Sequence, residues 1–117
     1  AFGCAQLEKI SEFIASKRHL FKCYQEAFRG IPRIQLFEEP EDSFSNYWLQ
    51  TMMLDESAIN QRDTILKATN SAGLMTRPAW MLLHKLEHFR NFPQAPLSVA
   101  EFLGSSIVNL PSSAGLV

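Results

Sequence analysis

The densest set of groups able to recognise a ligand lies in Thr76–Lys85, which carries Arg77, Trp80, His84 and Lys85 within ten residues. An arginine guanidinium is a planar fork that suits a carboxylate or a phosphate. A histidine ring can donate to an anion or hold a hydroxyl. The segment reads as the exit of a strand from a small sheet into a loop, a place where rigid scaffolds present binding groups.

Other chemistries find less support. His84 and His88 are four residues apart, the spacing that puts two metal ligands on one helical face. No third ligand accompanies them, and Lys85 would oppose a cation, so no metal site is expected. G-x-G-x-x-G, a Walker lysine, G-x-S-x-G and C-x-x-C are all absent from the sequence. Ser112-Ser113 has no marked partner base. Glu38, Glu39, Glu41 and Asp42 read as a solvated acidic turn. Trp48 and Trp80 read as packing residues before cofactor stackers.

Composition narrows the classes further. The 117 residues carry 11 basic and 12 acidic side chains, for a net charge of -1. That balance argues against a nucleic-acid binder, which would show a basic patch. No apolar run approaches the roughly 18 residues of a membrane span, and no signal peptide is visible at the start. The opening Ala1-Phe2-Gly3 lacks a methionine and reads as a fragment or a processed piece. The length supports one domain with a real core. Cys4 and Cys23 would stand roughly 28 Å apart on a continuous helix, too far for a disulfide. Two unpaired, semi-buried thiols suit a reducing, cytoplasmic location.

The elements that must position the cluster follow from periodicity. Leu7, Ile10, Ile14, Phe21, Tyr24 and Phe28 predict one long amphipathic helix from about Gly3 to Arg29, with Lys9, Lys17, Arg18 and Lys22 on its other face. Gly30 and Pro32 stop it. Such a helix is too long to be covered by the rest of the chain, so part of its stripe is expected to pack elsewhere. Ile34–Phe37 is a short strand and Tyr47–Leu54 the strongest one, apolar enough for both faces to be covered. Asn60 with Asp63 resembles a capping box for a helix over 61–72, closed by Gly73. Leu74–Arg77 reads as a strand and 80–96 as irregular chain. Ser98-Val99-Ala100-Glu101 is a capping box for a helix to about Gly104. Ile107–Leu110 is a last strand, stopped by Pro111. The sum is an α+β pattern: residues 1–30 form a long interdomain-type helix, and residues 31–117 a small α+β domain with a mostly antiparallel sheet and helices on one face.

Four stretches, in order, make the chain familiar: Gly3-Cys4-Ala5-Gln6-Leu7-Glu8, Ser45-Asn46-Tyr47-Trp48-Leu49, Gly73-Leu74-Met75-Thr76-Arg77-Pro78 through Leu83-His84, and Ile107-Val108-Asn109-Leu110-Pro111-Ser112-Ser113. Arg62-Asp63 opens a helix between them. Together they resemble the C-terminal small domain of the DegT/DnrJ/EryC1/StrS family of pyridoxal-phosphate-dependent sugar aminotransferases. Arg77-Pro78-Ala79-Trp80 with Asn109-Leu110-Pro111-Ser112-Ser113 looks closest to the branch making legionaminic-acid or bacillosamine-type sugars.

The resemblance implies the small domain of the aspartate-aminotransferase fold, closing over a large domain that binds pyridoxal phosphate through a lysine. It implies a homodimer that moves an amino group, usually from L-glutamate, to a keto group of a nucleotide-linked deoxysugar. It implies no nucleic acid and no membrane among the partners. Lys9, Lys17, Lys22, Lys67 and Lys85 match no cofactor-bearing position, so this chain holds no catalytic or cofactor-binding residue of its own and is expected to be inactive alone. Substrate contacts are expected from Arg77 toward an anionic group, Trp80 as a pocket wall and His84 toward the sugar or a phosphate oxygen. Ala79-Trp80 and Leu82 depart from the aromatic pair and the proline common there. A non-catalytic interaction module, or an inactive relative of the same fold, is the alternative reading.

Overall fold

The computed structural model describes residues 2–117. The chain begins with two helices, α1 (Phe2–Glu8) and α2 (Ile10–Ala27). The single long helix expected from the periodicity is broken at Lys9. Its N–H bonds to the Gln6 carbonyl at 3.2 Å, a tighter turn than the α-helical ladder. No residue of α1 is buried, and the ladder resumes at once, Phe13 N–H bonding to Lys9 O at 3.1 Å. Cys4 and Cys23 are unpaired, and both are exposed rather than semi-buried.

A four-stranded antiparallel sheet follows, ordered β1 (Ile34–Leu36), β2 (Gln50–Leu54), β4 (Ile107–Leu110), β3 (Arg77–Pro78). In register, Leu36 faces Met52, and Met52 faces Val108. Side chains alternate across a strand, so Met52, Leu54, Val108 and Leu110 share one buried face. Tyr24 of α2 and Phe28 at its C-cap cover it, together with Ile65 and Leu66 of α3 (Arg62–Ser71). Helix α4 (Ser98–Ser106) is tied to α3 by Arg62 Nη1, which donates to Gly104 O at 2.8 Å. Its Phe102 shares a surface groove with Gln35 and Met53, residues that alternate with the core set.

The strand expected over 47–54 starts later, at Gln50. Tyr47 has φ +44°, and the Tyr47 and Trp48 N–H groups bond to the side chains of Ser45 and Asn46. These local turns keep the backbone off the ladder. Tyr47 is nonetheless buried, its ring stacked on Phe21 at 4.4 Å.

Helix α3 has no side-chain cap. A 3-10 turn, Ile59–Gln61, leads into it in place of the Asn60 box, and Asp63 bonds to Arg62 instead. Its other end matches the reading: Gly73 has φ +81°, its N–H bonds to Asn70 O, and Leu74 N–H bonds to Thr69 O. This is a Schellman closure. A tight Thr76 N–H to Leu74 O bond then delays the next strand to Arg77, short of the expected 74–77. The Ser98 box does not form either. Ser98 lies inside α4, Leu97 precedes it without a side-chain bond, and the helix continues to Ser106.

Candidate functional site

The binding-competent groups gather in a cleft of about 620 Å³ on the β4 side of the sheet. Two residues of the expected cluster line it, Arg77 and Trp80. Strand pairing sets Arg77 opposite Asn109 of β4. Asn109 accepts a hydrogen bond from Thr51 Oγ1 at 3.1 Å and donates to Pro78 O at 3.3 Å, which ties the three strands at the cleft floor.

The Arg77 guanidinium is oriented from α3. Its Nη1 donates to Asn70 Oδ1 and to Thr76 O, both at 2.8 Å. Asn70 is itself held by Leu66 O and by the buried Thr76, whose hydroxyl also meets Thr69 Oγ1 at 2.6 Å. The Arg77 side chain is exposed and makes no ion pair among the described residues. A fork held at one nitrogen, with its remaining N–H groups open to solvent, is prepared to grip an oxyanion.

Trp80 forms the rim with Trp48, ring centroids 6.2 Å apart and near edge-on. Both are largely exposed. Neither is a core packing residue, which corrects the reading that took both as packing.

Lys17, from α2, lines the cleft as well and was not singled out from the sequence. Its Nζ donates to Trp48 O at 3.2 Å and to Ser112 O. Burial lowers its pKa from the ordinary lysine value. The same stretch is stitched by Tyr24 Oη to Pro111 O, by Gln50 N to Ser112 Oγ and by Gln50 Nε2 to Lys17 O. Lys17 was placed on the solvent face of the helix. In fact it occupies the stripe itself, between Ile14 and Phe21 at spacings of three and four. A lysine interrupting an apolar stripe was the available signal.

His84 is not in this cleft. It lies in a separate groove with Phe89 and Phe92, its Nε2 3.2 Å from Glu101 Oε1. Glu39 also departs from its reading. It is not a solvated turn residue: it pairs with Arg18 of α2 and accepts from Ser45 N, and these bonds hold its carboxyl down at about 2.

Comparisons with known proteins fit this description. The family described as the DegT/DnrJ/EryC1/StrS aminotransferase family matches residues 1–117. A GDP-perosamine synthase of Vibrio cholerae is 31% identical over 119 residues, covering 99% of this chain and 32% of that protein. A GDP-perosamine synthase of Caulobacter vibrioides is 26% identical with the same coverage. The chain thus spans about a third of the length of these relatives. Among solved structures, Helicobacter pylori PseC, an aminotransferase involved in the biosynthesis of pseudoaminic acid, superposes with a TM-score of 0.89 at 19% identity, over 98% of this chain and 31% of that one. DesI, solved in the presence of its TDP-sugar product, superposes at 0.87 and 24% identity, over 98% of this chain and 30% of that one. At these identities the likeness establishes the fold.

Proposed function

The chain belongs to the DegT/DnrJ/EryC1/StrS aminotransferase family, and from that we propose that it serves as the small domain of an enzyme transferring an amino group from L-glutamate to a keto group of a nucleotide-linked deoxysugar. The observation that carries this reading is a match over 99% of the chain to a third of a GDP-perosamine synthase. The cleft adds support, because a guanidinium beside an aromatic rim suits an anionic, ring-bearing substrate. Perosamine, from the names of the relatives, joins the legionaminic-acid and bacillosamine-type sugars as a product class for this enzyme.

Pyridoxal phosphate, when bound, supplies an electron sink. The residues of this chain do not fit it. Lys9, Lys22, Lys67 and Lys85 are exposed, Lys17 is engaged with two carbonyls, and no carboxylate lines the cleft to face a pyridinium nitrogen. We therefore assign cofactor binding to a large domain, and expect residues 1–117 to be inactive without it. No chemical step is routed through this chain.

Its own residues bind, orient and exclude water. Arg77 takes an anionic group, either the carboxylate of the donor or a phosphate of the nucleotide. Trp80 forms a wall. His84, held against Glu101, is the contact for the sugar or a phosphate oxygen if its groove joins the cleft in the homodimer. Among the described residues no helix is long and apolar enough to cross a membrane, and a cytoplasmic location suits the two free thiols.

The test is a visible absorption spectrum of the full-length protein before and after L-glutamate. A yellow protein bleached by glutamate supports the aminotransferase. A protein that stays colourless with added pyridoxal phosphate would favour the interaction module or the inactive relative.

A further inference from the structure

The cleft is closed by a circuit of six residues drawn from distant parts of the chain. Lys17 Nζ reaches Trp48 O, and the Trp48 ring meets Trp80. Trp80 follows Arg77 by three residues, Arg77 sits opposite Asn109, and Ser112 follows Asn109 by three and accepts from Lys17. Two basic side chains, Lys17 and Arg77, line this space, and no aspartate or glutamate does. Arg18, Arg29 and Arg62 are paired, with Glu39, Glu26 and Asp63; Lys9, Lys22, Arg33, Lys67, Lys85 and Arg90 make no ion pair among the described residues, but none of these lines the cleft. Lys17 and Arg77 have only neutral acceptors. A half-buried ammonium held by two carbonyls keeps a third proton for which no acceptor exists among the described residues. The second groove that Lys17 borders, along α2, has no carboxylate either. Two cations without counter-ions at one concave surface raise the local concentration of anions.

We propose that Lys17 and Arg77 together form a seat for a doubly charged oxyanion, with Asn109 and the Trp48–Trp80 rim beside it. This rests on the reading of Arg77 as an anion-binding residue and extends it to a second cation from another element. A singly charged group would leave one of the two cations unmatched. The shared ligand chemistry is two negative charges carried by one molecule. Its two sources are the diphosphate of a nucleotide sugar and a dicarboxylate amino donor.

The full-length holoenzyme tests this without any variant. Lysines are acetylated at neutral pH with an N-hydroxysuccinimide ester and quantified by peptide mass spectrometry, with pyrophosphate or glutarate present in separate arms. Protection of Lys17 by about fivefold, with exposed Lys67 unchanged, is the expected result, on the principle that an ion-paired amine is a poorer nucleophile. Protection by pyrophosphate alone assigns the seat to a diphosphate. Protection by glutarate alone assigns it to the donor. Protection by neither overturns the proposal. Titration calorimetry of the protecting anion then separates the two claims. Lys17→Met and Arg77→Ala should each weaken it by about tenfold or more, and Lys17→Arg should stay within about threefold, as charge-assisted hydrogen bonds require. If Arg77→Ala weakens binding and Lys17→Met does not, the two-cation seat falls and the Arg77 reading stands. If neither variant weakens it, both fall.

Discussion

Arg18 and Glu39 meet through two parallel hydrogen bonds, Nη1 to Oε2 at 2.9 Å and Nη2 to Oε1, across the gap between α2 and the loop before β2. The Phe44 ring covers the guanidinium at 4.2 Å from its carbon, and Nη1 also donates to Ser45 O. This arrangement pins the loop whose next residues, Tyr47 and Trp48, fill the core and edge the cleft.

The pair has a consequence for acid stability. The Glu39 carboxyl is held at about 2, below its ordinary 4.5, first by its hydrogen bond with Arg18. A depressed folded-state pKa means that the unfolded chain binds the proton more readily. The stabilisation is therefore full above about pH 4.5 and is lost as pH falls toward 2. Glu39→Gln should flatten this part of the profile. Urea midpoints measured from pH 2 to pH 6 on both proteins check it; parallel profiles would contradict the role given to Glu39.

Leu54 is almost fully buried at the centre of the sheet core. Leu54→Ala removes buried methyl groups and leaves a cavity, which costs about 2–5 kcal/mol. Chemical unfolding should show a lower midpoint with an unchanged slope.

Gly73 closes α3 with φ +81°, and a Cβ there would meet nothing within 4 Å. The cost of Gly73→Ala is thus conformational, about 1–2 kcal/mol for an L-residue in the left-handed region. Gly73→Asn should recover part of it, because asparagine tolerates that region. Equal losses for Ala and Asn in thermal melts would argue for a different cause.

Arg77→Ala in the full-length enzyme should raise KM or lower kcat by roughly tenfold or more, from about 1.5–3 kcal/mol for a hydrogen bond to a charged group. Steady-state kinetics with both substrates varied reads which of the two anions it serves. Unchanged kinetics in a folded variant removes Arg77 from the site.

Much of this was legible in the residues. The last strand, Ile107–Leu110, stands where its alternation and Pro111 put it. Gly73 ends α3 with φ +81°, because a left-handed residue must follow and glycine adopts that region without strain, whereas α2 stops at Ala27, before the expected Arg29, and Gly30 (φ +77°) lies in the turn beyond it. The ordered motifs carried the family. The elements that shifted did so where side chains competed with the ladder or the cap. Ser45 and Asn46 take the N–H groups that would have begun β2 at Tyr47. Glu101, read as half of a capping box, reaches His84 instead.

Local chemistry depends on neighbours three or four residues away, and the sequence by itself determines that much: helix stops, strand alternation, and the family likeness carried by short motifs. Which polar groups share one cleft depends on pairings between distant segments. Lys17 and Ser112 are 95 residues apart in the chain and become bonded only because β2 and β4 pair beside α2. The same pairing brings Arg77 to Asn109, while the bend after Pro78 carries Trp80 to the rim and the following turns carry His84 away to Glu101. Tertiary structure alone decided that division, since strand register and helix docking fix positions in space that no local spacing encodes.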